Sequence, residues 1–185
     1  MYTLDSLNQA LNEYVYLVDI LIRSLDEANY SEDFYFFAKP AGWDYQQEII
    51  TLVDRDEQLR RLSHIPYKKW RKIKFEYNLN KIKFVTYPLS FENHNRYVDP
   101  ERKLSAALED YLRFLKADQK IGNMNQAEFK NLIYDELLSI IYRIKPHTLV
   151  EVEGDVDSIY SWMNTGLFIF ESEEYTLLLS FGFTD

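Results

Sequence analysis

The densest cluster of chemistry-bearing side chains is Glu151-Val152-Glu153-Gly154-Asp155-Val156-Asp157, four carboxylates around one glycine. Hard divalent cations want several oxygen ligands on a flexible turn, and the composition suits that. The spacing does not. A full twelve-residue calcium loop needs a Glu farther on, and the residue five after Asp157 is Trp162. A solvated acidic hairpin fits better, and no metal is expected. Further along, Glu171, Glu173 and Glu174 stand beside Tyr175, so Tyr160, Trp162 and Tyr175 are interspersed among acids. Carboxylates steer a basic partner toward a surface, while aromatic side chains supply buried contact energy.

Other catalytic patterns are missing from the sequence. The five glycines, Gly42, Gly122, Gly154, Gly166 and Gly182, build neither a phosphate-cradling loop nor a dinucleotide-binding fingerprint. There is no Gly-x-Ser-x-Gly elbow and no His-Glu-x-x-His helix. His64, His94 and His147 are far apart, and none has a metal-ligand spacing from another. A pair united only by folding, such as His94 with a distant carboxylate, is the remaining route to acid–base chemistry. No cofactor is expected.

A second constellation is cationic. Arg60, Arg61, Lys68, Lys69, Arg71, Lys72, Lys74, Lys81 and Lys83 are interleaved with Tyr67, Trp70, Phe75, Tyr77 and Tyr87. Positive charge with aromatic faces is what single-stranded nucleic acid requires, and Lys68, Lys69, Trp70, Arg71, Lys72, Lys74 and Lys83 are the residues that would carry it. The competing reading is a solvated sheet face whose lysines protect an edge strand.

These groups sit in a chain of 185 residues with 30 Asp or Glu against 21 Lys or Arg, a net charge of -9. The balance is uneven along the chain. Residues 55–83 carry 10 Lys or Arg against three acids, net +7, whereas residues 146–185 hold eight acids and no Lys or Arg. A chain this long buries roughly 70% of its unfolded surface, so a core needs no staples. The lack of cysteine excludes thiol catalysis, zinc–thiolate sites and a disulfide scaffold, and fits a reducing compartment. With 28% charged residues and few Gly or Pro, the collagen-like and strongly disordered classes are excluded. Met1-Tyr2-Thr3-Leu4-Asp5 lacks a basic n-region and a long apolar run, and no run approaches about 18 apolar residues. The expectation is a cytoplasmic protein with no membrane span.

The elements that would position these groups follow from periodicity. Leu4, Leu7, Leu11, Tyr14, Val15, Val18, Leu21, Ile22 and Leu25 predict an amphipathic helix over about 4–27. Phe34–Ala38 and Ile49–Val53 read as strands separated by breakers at 39–44, and Asp54-Arg55-Asp56-Glu57 has capping-box spacing for a short helix to His64. The near-repeat Lys72-Ile73-Lys74-Phe75 and Lys81-Ile82-Lys83-Phe84 predicts a hairpin with Phe75 opposite Phe84. Residues 88–99 are a polar stretch and the place for a long loop or an internal boundary. Pro100 opens a helix through Leu115, Gly122 stops it, and Asn125 with Glu128 caps another that ends before Pro146, together an αα-hairpin. Thr148–Val152, Leu167–Phe170 and Tyr175–Phe183 read as strands, with turns at 164–166 and 172–174. The continuous runs at 167–170 and 177–179 call for cover on both faces, by helices or by a partner.

The sum is one α+β domain over residues 1–185, a mostly antiparallel sheet of about five to seven strands with three main helices. The expected function is non-catalytic: a protein that neutralises a basic protein partner, such as a toxin or nuclease, as an immunity protein or antitoxin would. Glu151, Glu153, Asp155, Asp157, Trp162, Glu171, Glu173, Glu174 and Tyr175 would form the contact. Nucleic-acid binding by the basic hairpin is the alternative.

Overall fold

The computed structural model describes residues 3–23, 31–64, 66, 69, 82–89, 104, 106, 123–154 and 163–184. Among these residues three long helices, α1 (Leu4–Arg23), α2 (Tyr45–Ser63) and α3 (Gln126–Ile144), accompany five strands, β1 (Ser31–Pro40), β2 (Ile82–Pro88), β3 (Thr148–Gly154), β4 (Met163–Glu171) and β5 (Tyr175–Thr184). The strands form one antiparallel sheet in the order β1-β5-β4-β3-β2. The chain is therefore α+β, as its patterning predicts.

Successive side chains of a strand point to opposite faces, and both faces of this sheet are apolar. Phe168 and Phe170 of β4 join Leu177 and Leu179 of β5, Leu149 of β3 and Phe36 of β1 in one core, covered by Leu7, Leu11, Tyr14 and Val18 of α1 and Phe129, Ile133, Leu137 and Ile141 of α3. Leu167, Ile169, Leu178, Val150 and Val152 point the other way, under Tyr45, Ile49 and Val53 of α2. Helices supply both covers. Half-buried Ile82 and Phe84 join the α2 side and Tyr87 the α1–α3 side, so β2 alternates as its sequence predicts.

Each helix begins at a cap. Thr3 Oγ1 accepts from the Ser6 amide (3.2 Å) while Ser6 Oγ accepts from the Thr3 amide (2.9 Å), a reciprocal cap on α1. Asn125 and Glu128 form the predicted capping box on α3. That helix ends as expected before Pro146, with Lys145 in the left-handed region at φ 49°.

Two local expectations are corrected. Ile49–Val53 is not a strand but part of α2, which starts well before the predicted cap at Asp54. The Asp44 carboxylate accepts from the Gln47 amide (3.0 Å), and Gly42 at φ +82° turns the chain out of β1 just before it. Tyr45, Ile49 and Val53 recur every four residues and are buried, so helical periodicity overrides the β-branched composition of the run. Likewise, Asn164–Gly166 is no turn. It is a register shift inside β4, a bulge that lets the strand continue to Met163. Of the predicted αα-hairpin, the first helix lies largely outside the described residues, although Leu104 is helical and buried in the α1–α3 core. The 72–80 half of the predicted hairpin, and most of the 88–99 stretch, lie outside them too.

Among the described residues β1 is an outer strand of the sheet, and its edge is met by a side chain. Asn8 of α1 donates to the Ala38 carbonyl (3.0 Å) and accepts from the Ala38 amide (2.7 Å), taking the place of a neighbouring strand. Two residues on, Pro40 has no amide to offer, and its carbonyl accepts from the Trp43 amide (3.3 Å). Asn8→Ala leaves both Ala38 groups unpaired and is expected to destabilise by about 1–3 kcal/mol in urea unfolding. Size-exclusion chromatography should also show self-association through the opened edge. A parent-like midpoint and a parent-like elution volume would refute this role for Asn8.

Tyr14 is buried between the helices, and its hydroxyl donates to the Ile133 carbonyl at 2.7 Å. Burial pushes its ionisation far above the ordinary 10.0, and the Glu136 charge adds to the shift. The folded hydroxyl thus stays neutral where the unfolded one ionises, so this contribution to stability is complete below about pH 10 and lost above it. Tyr14→Phe should cost about 0.5–1.5 kcal/mol at pH 7. Between pH 10 and 12 it should make stability less pH-dependent by up to about 1.4 kcal/mol per pH unit. Parallel curves for parent and variant would contradict the assignment.

Candidate functional site

The acidic residues singled out in the C-terminal block fall in two places. Glu151 and Glu153 lie on one face of β3, while Glu171, Glu173 and Glu174 lie at the end of β4 and in the turn to β5. Because Thr148 pairs with Glu171, and a strand advances roughly 3.3 Å per residue, Glu153 is about 17 Å along the sheet from the second group. Asp155, Asp157 and Trp162 lie outside the described residues.

Part of this charge meets groups of its own chain. Half-buried Glu151 accepts a hydrogen bond from the Tyr87 hydroxyl at 3.2 Å. Exposed Glu153 is the register partner of exposed Lys83. Here the acidic and basic blocks of the sequence face each other across one ladder position. Glu171 is half-buried, and its charge acts on the nearby Tyr45. Burial raises the Tyr45 ionisation above its ordinary range and Glu171 adds to the shift, against a Gln46 hydrogen bond that works the other way.

Glu173 and Glu174 differ, being exposed at the tip of the β4–β5 turn. The turn is rigid for a local reason. Buried Ser172 uses its amide (2.8 Å) and hydroxyl (2.9 Å) to donate to the Tyr175 carbonyl, and the hydroxyl accepts from the Tyr175 amide (3.0 Å). The Glu174 carbonyl also accepts from the Ala41 amide after β1 (2.9 Å). Tyr175 itself is half-buried, packed against the α1–α3 core.

Beside this tip a cleft of about 700 Å³ opens, lined among the described residues by Arg143 at the end of α3, Lys145 and His147 of the α3–β3 connection, and Glu173, Glu174 and Tyr175. The two walls are joined where the His147 amide donates to the Glu171 carbonyl at 2.8 Å. The His147 ring is oriented by Nδ1, 2.8 Å from Thr148 Oγ1. Sequence reading missed the cationic wall, since its neighbourhood with the acidic turn depends on the β3–β4 register. The only local signal was basic residues flanking Pro146.

Of the proposed nucleic-acid residues, Lys69 and Lys83 are exposed, and Lys68, Trp70, Arg71, Lys72 and Lys74 lie outside the described residues. His64 and His147 are exposed and His94 lies outside them. Among the described residues, no three His, Asp or Glu are grouped to hold a metal, and no helix is long and apolar enough to cross a membrane. In comparisons with known proteins, no family model, no curated protein and no solved structure matches the chain.

The Lys83–Glu153 juxtaposition is directly testable. Lys83→Glu places like charges opposite each other and should destabilise by about 0.2–1 kcal/mol at low salt. Adding Glu153→Lys should restore the loss. A double variant no more stable than the sum of its single changes would show that the two side chains do not interact.

Proposed function

We propose that the chain is a non-catalytic binding protein that captures a basic protein partner through carboxylates of its C-terminal block, in the manner of an immunity protein or antitoxin. The observation that carries this reading is the Glu173–Glu174 tip: two exposed carboxylates on a turn clamped by three Ser172–Tyr175 hydrogen bonds. A backbone already fixed loses little freedom on binding, so more of the contact energy appears as affinity. Carboxylates at the tip steer a cationic surface toward it, and Tyr175 next to them offers an aromatic contact. Exposed Glu153 extends the acidic surface at the far end of β3, and Asp155, Asp157 and Trp162 belong to the same proposal. Glu151, already bonded to Tyr87, and Glu171, half-buried like it, contribute less.

The test begins with a partner recovered by affinity capture from the source organism, purified, and measured for association with the parent chain and with Glu173→Lys/Glu174→Lys. The association rate is expected to fall about tenfold or more at low ionic strength. The difference should close in 1 M salt, where screening shortens electrostatic reach to about 3 Å. Circular dichroism and a melting curve confirm that the variant is folded. An association rate and affinity equal to those of the parent at low salt would overturn the reading.

A further inference from the structure

We propose that the cleft beside the tip binds a basic residue carrying a free carboxylate, the chemistry of a peptide C-terminus ending in arginine or lysine. This deepens the reading above and rests on it, naming what the partner seats next to Glu173 and Glu174.

The volume of about 700 Å³ falls within the roughly 300–1,000 Å³ usual for ligand sites. Its charges are what select the ligand. Arg143 and Lys145 on one wall are matched by Glu173 and Glu174 on the other. A purely cationic or purely anionic group entering the cleft meets one like-charged wall, whereas a group bearing both signs meets two complementary ones. Arg143 stands in the last turn of α3, where it also offsets the partial negative charge of the helix end, so Lys145 and His147 are the principal carboxylate-facing groups. Opposite them, Glu173 and Glu174 suit a guanidinium or ammonium, and the Tyr175 ring offers a face for it.

Backbone contacts hold both walls. Lys145 is fixed at φ 49° with its amide donating to the Tyr142 carbonyl (3.2 Å). A left-handed helix end is usually glycine or asparagine. Here the position carries a long cationic side chain on the rim of a cleft instead.

Isothermal titration of the full chain tests the proposal with four probes: a pentapeptide ending in arginine as the free acid, the same peptide as the C-terminal amide, the same peptide ending in citrulline, and free L-arginine. The free acid should bind, with the amide and the citrulline peptide each at least about tenfold weaker, because each lacks one charge-assisted hydrogen bond to a wall of the cleft. Lys145→Asn, which keeps a residue tolerant of positive φ, should reduce the preference for acid over amide. Glu173→Gln/Glu174→Gln should reduce the preference for arginine over citrulline. Free arginine binding as tightly as the peptide supports the site and assigns it to the amino acid rather than to a chain end. No heat from any probe at millimolar concentration, or equal affinity for acid and amide, overturns it. If the probes fail while Glu173→Lys/Glu174→Lys still loses the recovered partner, the acidic-tip reading stands and the cleft proposal alone falls.

Discussion

Every larger feature of this structure depends on the need to bury both sides of β4 and β5. Phe168 and Phe170 point one way, Leu167 and Ile169 the other, and Leu177, Leu178 and Leu179 repeat the division on the next strand. Each such side chain is worth about 1.5–3 kcal/mol when removed from water, so neither face can be left open without forfeiting much of a typical domain's stability. The first face takes α1 and α3 and the second takes α2. Once both faces are covered by the chain itself, exposed groups are confined to edges, helix backs and the turns at the ends of the strands. The candidate site is accordingly a turn and the connection beside it.

Burying the faces leaves the edges to be managed by other means. At β1 the Asn8 amide substitutes for a strand and Pro40 withholds a donor, while on the α2 side a line of rings runs from Phe37 through Trp43 and Tyr45 to Phe84, with centroids 5.7–6.1 Å apart. Phe37 stands on β1 and Phe84 on β2, at opposite ends of the strand order, so this line crosses a sheet about 19 Å wide. Lys39 lies 5.9 Å from both the Phe37 and Trp43 rings, and the Trp43 indole donates to Glu48 at 2.6 Å. The start of α2 is thereby pinned to β1, and Tyr45 is brought over Glu171 at the end of β4.

What could be read from the sequence was what local chemistry determines. The α3 capping box, the stop before Pro146, the 172–174 turn and the two-faced runs of β4 and β5 each follow from residues within one turn or one strand of each other. The α2 segment defeated that reading because Ile49-Ile50-Thr51-Leu52-Val53 is β-branched enough to suit either state, and the deciding partners of Tyr45 and Val53, namely Val150, Leu167 and Leu178, stand far along the chain. The bulge at Asn164–Gly166 shows a related ambiguity, since the same residue types that close a turn also interrupt a ladder without ending it. For the candidate site, the carboxylates and Tyr175 were legible as residue types. Their division into two groups was not, because it depends on which residue of β3 opposes which residue of β4.

The register also changes the meaning of the charge asymmetry. A block of +7 and a block with no cation would neutralise each other in a collapsed chain, and at Lys83 and Glu153 they do come opposite one another. The acidic tip, however, lies about 17 Å along the sheet from that pair, beyond the roughly 8 Å over which exposed charges act at physiological salt. Among the described residues, the cations that line the cleft with it are Arg143 and Lys145, outside the basic block altogether. Two carboxylates are thus held on a fixed turn, balanced across a cleft rather than paired in a sheet. Opposite charges packed in contact consolidate a fold, whereas charges set on two rigid walls with space between them are complementary to a third body, and that distinction is what separates the tip from the other acids of the C-terminal block.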